Sequence, residues 1–217
     1  MAHLRLPDHL GVCEVEGRVI MLDLRRDRYF ELDPISASAM RRWRDGDADL
    51  EDGAGLTRLV ARGTLVPAAQ WEPPRWTRAK VPGQSLLRPA TGPSRSALPI
   101  LPEVAAGLWR VRRRLRRKGL EAAVAHVRGH RREEPTADLN PDLARFRAAR
   151  LLAPVAPNCL VDSLALLAFL ARRGHRADLV FGVKLDPFAA HCWLQSDEAV
   201  LTDGADSVAT FTPILVV

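Results

Sequence analysis

The chain has 217 residues, 47% of them apolar, and a formal net charge of +6. That length holds one ordinary domain, or a small domain beside a medium one. No apolar run approaches the ~18 residues of a membrane helix, the start MAHLRLPDHLG lacks the layout of a secretory signal, and three cysteines are too few for a disulfide framework.

A reducing, cytoplasmic setting is therefore expected. The charge is uneven: residues 1–72 carry a net −3, residues 73–153 a net +12 and residues 154–217 a net −3. The high isoelectric point belongs to the middle of the chain.

The first segment, residues 1–67, reads as a small β-then-α unit. Gly11–Gly17 alternates apolar and polar residues as a half-buried strand does, Arg18–Leu24 is a second strand, and Tyr29–Leu32 returns as a third. Asp33-Pro34 then opens a helix, with Asp33 as N-cap and Pro34 at the first helical position. A shorter helix over Leu56–Arg62 stops at Gly63. Three short strands followed by helices predict a miniature winged helix-turn-helix.

Residues 68–102 are expected to form a linker. Eight of the 16 prolines fall between Pro67 and Pro102, with little apolar periodicity. From residue 103 the pattern is helical: Glu103–Lys118, a break near Gly119, then Leu120–Val127, and a further helix over Asp142–Leu152. The almost wholly apolar Val161–Ala171 after Cys159 predicts a helix buried on most sides. Strands are expected over Ala177–Leu185, His191–Gln195 and Val200–Thr202. The fold class is α+β, with residues 103–217 as the larger unit.

Three residues fall at element ends that can converge. Cys159 stands at the first turn of the buried helix, where unpaired N–H groups and the helix dipole favour a thiolate. His191 opens a strand, and Asp203 ends the next. Adjacent antiparallel strands can set a His beside a carboxylate, and a helix packed on that sheet can bring its N-terminal Cys to the other edge of the imidazole. Cys-His-Asp on helix, strand and strand is the order of papain- and transglutaminase-like enzymes. Taken singly, each residue has a plainer reading as a buried hydrophobe, a hydrogen-bonded core residue or a turn residue. Only their coincidence points to catalysis. Cys192, next to His191, is expected on the opposite face of the strand as a packing residue. Ser163 lacks the G-x-S-x-G setting of a nucleophile. No metal-ligand spacing and no phosphate-binding Gly-rich motif is present, so no cofactor is expected.

The stretches Asn158–Leu166, Phe181–Lys184, Ala190–Leu194 and Leu201–Asp203 resemble the B proteins of lasso-peptide biosynthesis, a family of transglutaminase-like cysteine peptidases. The resemblance covers about residues 103–217. It departs at Asp162, where the family tends to have a basic residue, and at Gln195, where it often has Glu. Residues 1–67 are similar to that family's leader-recognition element. The resemblance implies a fused leader peptidase that holds a precursor's leader as an added strand at Tyr29, Phe30, Glu31 and Leu32, beside the helix 56–62. It implies cleavage through Cys159, His191 and Asp203, with the Cys159 N–H and Asn158 as oxyanion donors. The implied partner is an asparagine-synthetase-like cyclase. Two alternatives stay open: acyl transfer to an amine at the same triad, and a non-catalytic module binding peptide or nucleic acid. The basic stretch Arg110–Lys118 is either a solvated helix face or a docking surface, although the recognition unit itself is net acidic.

Overall fold

The computed structural model describes residues 3–46, 53–70, 76, 80–87, 95–128 and 138–217. Much of the acidic stretch after Asp45, and residues 71–75, 77–79 and 88–94 of the expected linker, lie outside the described residues.

Strands β1 (His3–Arg5), β2 (Leu10–Val15), β3 (Arg18–Asp23) and β4 (Arg28–Glu31) lead into helices α1 (Pro34–Asp45) and α2 (Gly53–Ala61), followed by β5 (Val66–Ala68). β2, β3 and β4 form an antiparallel sheet in that order, and β1 pairs with β5. The β2–β3 turn is made by Glu16 and Gly17, both at positive φ, which matches the twist of a two-residue hairpin. Asp33 caps α1 as expected: its carboxylate accepts from the Ser36 N–H at 3.1 Å and the Ser36 hydroxyl at 2.8 Å. β1 and β5 carry no sequence signal because each is three residues long.

A 3-10 turn (Arg95–Ile100) opens the second half. It is followed by α3 (Leu101–Arg128), α4 (Asn140–Leu152), α5 (Cys159–Arg172), β6 (Asp178–Lys184), β7 (Ala189–Gln195), α6 (Ala205–Val208) and β8 (Thr212–Val216). α3 is broken at Gly119, whose φ of 77° suits glycine. The second sheet is antiparallel in the order β7-β6-β8. Here the sequence reading is corrected. Residues 200–202 do not form a strand; Val200 makes only isolated bridges, to Gln195 and to Ser85. The third strand is β8, hidden in the sequence by Pro213. That proline is tolerated because it sits opposite Gly182, where the register shifts at a bulge.

The β2–β3 hairpin is buried on both faces, not on one. Leu10, Val12, Val19 and Met21 pack with Met40, Leu56 and Leu59 of α1 and α2. The alternate residues Cys13, Val15, Ile20 and Leu22 join a second core with α3, α5 and the β6–β8 sheet. The period of two that places side chains on alternate faces thus feeds two cores. β8 approaches β2 so closely that a Cβ on Gly11 would lie 2.6 Å from the Ile214 carbonyl oxygen. Among the described residues no helix is long and apolar enough to cross a membrane.

Gly11→Ala should therefore force β2 and β8 apart. It is expected to destabilise the protein by roughly 1–3 kcal/mol, the usual cost of overpacking, read as a lower urea midpoint.

Candidate active site

α5 carries Cys159 at its first helical position. Asn158 is its N-cap, and the Asn158 side-chain oxygen accepts the Val161 N–H at 3.0 Å. Asp162, in the first turn, accepts two hydrogen bonds from Arg150 of α4, at 2.8 and 3.3 Å. The acidic departure from the family pattern is thus neutralised by α4. Cys159 is exposed, whereas Cys13 and Cys192 are buried.

β7 brings His191 alongside. Its Nε2 lies 3.1 Å from Asp203 Oδ1, and its side chain is also within hydrogen-bonding reach of Cys159. With Nε2 engaged by the carboxylate, Nδ1 is the nitrogen left for the thiol. Trp193, two residues on along the same face, stacks under the imidazole at 6.2 Å between ring centroids, and Phe211 lies at 5.5 Å. A Cβ on Gly182 would come within 2.6 Å of the Trp193 ring, so glycine there makes room for the platform.

Cys159, His191 and Asp203 are therefore brought together, although Asp203 arrives on a loop and not on a neighbouring strand. Thr202 donates to Asp203 Oδ2 at 2.7 Å. Cys192 does lie on the other face of β7 from His191. That face is the one α5 covers, however, and the Cys192 thiol comes within hydrogen-bonding reach of Cys159. The sequence offered no sign of this contact, since it depends on where α5 crosses the sheet.

These contacts fix the protonation states. Hydrogen bonds from Cys192 and His191 depress the Cys159 thiol to about 4 against the opposing effect of burial. Hydrogen bonds with Asp203 and Cys159 raise His191 to about 9. Burial pushes Asp203 up, but hydrogen bonds from His191 and Thr202 and the charges of His191 and Arg147 outweigh it and hold the carboxyl below its usual range. Cys192 is pushed far up by its bond to Cys159 and by burial. At neutral pH the site holds a Cys159 thiolate, a His191 imidazolium and an Asp203 carboxylate, with Cys192 as an inert thiol donor. A thiolate beside an acid that can protonate a leaving amine is equipped for acyl transfer.

Residues 104–216, more than half of the chain, match a family described as the transglutaminase-like superfamily. The chain belongs to that superfamily. No curated protein and no solved structure matches it. A transglutaminase-like domain fits a cysteine-peptidase or acyltransferase type of activity.

The other residues singled out by sequence are placed differently. Tyr29 of β4 packs against the second core and meets Phe188, at the tip of the β6–β7 hairpin, edge to face at 5.8 Å. Phe30 packs against the first core, Leu32 is buried in it, and Glu31 pairs with Arg18. Gln195 is buried, accepting from the Trp193 indole N–H at 2.9 Å and donating to the Lys80 carbonyl at 3.1 Å. The basic face of α3 turns Leu108 inward, while Arg110, Arg113, Arg114, Arg117 and Lys118 line a cavity of about 410 Å³ over Leu164, Ala165 and Ala168.

The ion pair predicts a reactive thiol at low pH. Iodoacetamide should modify Cys159 at a nearly constant rate from about pH 5 to 8, falling with an apparent pKa of about 4. His191→Ala removes one of the two hydrogen bonds that depress the thiol and leaves that of Cys192, so it should raise the thiol above about 4 and slow modification at pH 5 several-fold. Peptide mass mapping checks both.

Proposed function

We propose that this protein is a leader peptidase, which binds a ribosomally made lasso-peptide precursor and cuts off its leader. The observation that carries the reading is the convergence of Cys159, His191 and Asp203 at the N-terminus of a buried helix in a transglutaminase-like chain. The motifs around those residues resemble lasso-peptide B proteins, which supports the choice of substrate.

In this reading residues 1–67 recognise the leader, 68–102 connect, and 103–217 cleave. β4 ends the sheet order β2-β3-β4, and among the described residues no strand pairs with its outer edge, which could take an added strand. The side chains of Tyr29, Phe30 and Leu32 are taken up by packing, so the edge offers mainly backbone. Arg58 and Arg62 of the neighbouring α2 region, 3.9 and 3.6 Å from Asp33, flank its end. A leader held there raises the local concentration of its cleavage site at Cys159.

The Cys159 thiolate attacks the scissile carbonyl, and the oxyanion is met by the Cys159 N–H in the first turn of α5, with the Asn158 amide as a second proposed donor. His191 gives its proton to the leaving amine, which carries away the core peptide with a free N-terminus. The same imidazole then takes a proton from water as it attacks the acyl-enzyme, and the leader departs as a carboxylic acid. The proposed partner is an asparagine-synthetase-like cyclase that receives the core. The exposure of Cys159 would also admit an amine in place of water, and this is the rival reading.

The test uses the full chain and a precursor peptide, with products read by mass spectrometry. Wild type should release leader ending in a carboxylate, and Cys159→Ala should release none. Asp203→Asn should slow cleavage on the order of 10²–10⁴-fold, while Cys192→Ala should retain cleavage. Unchanged release by Cys159→Ala would remove the assignment, and leader recovered as an adduct of an added amine would favour acyl transfer.

The activity should follow a bell. The lower limb falls as Cys159 is protonated near 4, and the upper limb falls as His191 loses its proton near 9. A kcat/KM profile with its upper limb near 6.5 would contradict the ion pair.

A further inference from the structure

The superfamily match begins at residue 104, yet a segment well before it touches the site. Residues 84–86 lie along Val200: the Val200 N–H donates to the Gln84 carbonyl and the Leu86 N–H to the Val200 carbonyl, both at 2.9 Å. From this strap the Ser85 hydroxyl donates to the backbone carbonyl of Asp203. Val81 packs with Trp193 and Val200, and the Lys80 carbonyl accepts from Gln195, which holds the indole beneath His191. The strap thus touches the supports of both Asp203 and His191.

Arg147 of α4 ties the same parts together. Its guanidinium is partly buried and donates to the carbonyls of Leu86, at 2.7 Å, and Leu201. Among the described residues it forms no ion pair, although Asp203 is close enough to feel its charge. A part-buried cation without a carboxylate contact is costly, and here the charge favours an ionised Asp203. Thr202 completes the set: its hydroxyl accepts from the Leu194 N–H at 3.0 Å and donates to Asp203 Oδ2, leaving Oδ1 for His191.

We infer that Ser85, Arg147 and Thr202 are positioning residues, and that the strap over residues 80–87 is part of the active site because it holds the Asp203 carboxylate against His191. The inference rests on the triad proposed above. A short loop that follows only the isolated bridges at Val200 has no ladder to fix it. Without these three residues the carboxylate would be free to turn toward water. The groups facing the His191–Asp203 pair are Cys159 and Cys192 on the thiol side and Arg147 on the carboxylate side, with Tyr29 of β4 near the two thiols.

The experiment measures the His191 titration in the full chain by NMR of labelled imidazoles, assigned with His191→Gln, alongside the pH profile of Cys159 alkylation. Wild-type His191 should titrate near 9. Thr202→Val should lower that midpoint by about one pH unit, about tenfold in the protonation equilibrium, and Thr202→Ser should restore it. Ser85→Ala should move it the same way by less, and it keeps the test intact if Thr202→Val does not fold. A loss of stability with no movement of the titration would mean only a structural role and would overturn the inference. If wild-type Cys159 and His191 both titrate as ordinary side chains, the triad itself fails and the positioning role falls with it. If wild type behaves as expected while Ser85→Ala and Thr202→Val both leave the titration unchanged, the strap alone is refuted.

Discussion

An imidazole can join a thiolate to a carboxylate only when its two nitrogens are engaged from different sides, and this requirement governs the arrangement from residue 80 onward. His191 is fixed by β7, which seven residue pairs register against β6. The thiol must then come from a different layer than the carboxylate. α5 supplies it by crossing the Cys192 face of the sheet, while Asp203 reaches the other nitrogen from the loop beyond β7. The apolar stripe of α5 and the aromatic pair Trp193–Phe211 are the packing that keeps these approaches in place.

The electrostatics follow from that geometry. A thiolate against protein surface is less favourable than one fully in water. Here it gains the thiol and backbone N–H of Cys192 and the His191 imidazolium, and these outweigh the desolvation that opposes them. The imidazolium in turn persists because the Asp203 carboxylate is ionised, and Arg147 and Thr202 favour that state. The chain of charges alternates in sign from Cys159 to Arg147. Reactivity is thus a property of the set and not of the cysteine.

The N-terminal sheet is bound into the same logic. Because both faces of the β2–β3 hairpin are buried, the sheet cannot shift without disturbing two cores, and β4 is held with Tyr29 against the Phe188 hairpin. The β4 edge, unpaired among the described residues, and the nucleophile are therefore kept in a set relation within one body. In the proposed leader peptidase, that constraint would define the reach of the substrate.

Much of this was legible from sequence. The Asp33-Pro34 helix start, the break at Gly119, the helix opening at Cys159 and the strands over β6 and β7 follow from local rules of capping, glycine conformation and apolar periodicity, which act within a few residues. The candidate triad was visible too, because each member sits at the end of an element those rules define. What sequence could not supply was anything set by contacts between distant segments. The strand expected at 200–202 proved to be two isolated bridges at Val200, while β8 forms around a proline because a bulge opposite Gly182 spares it a ladder bond. Cys192 meets Cys159 because of where α5 lies on the sheet, and Ser85 reaches Asp203 from a proline-rich stretch with no periodicity of its own. Local propensity determines elements; which loop or strap touches which side chain is decided by packing, and packing is a property of the whole chain.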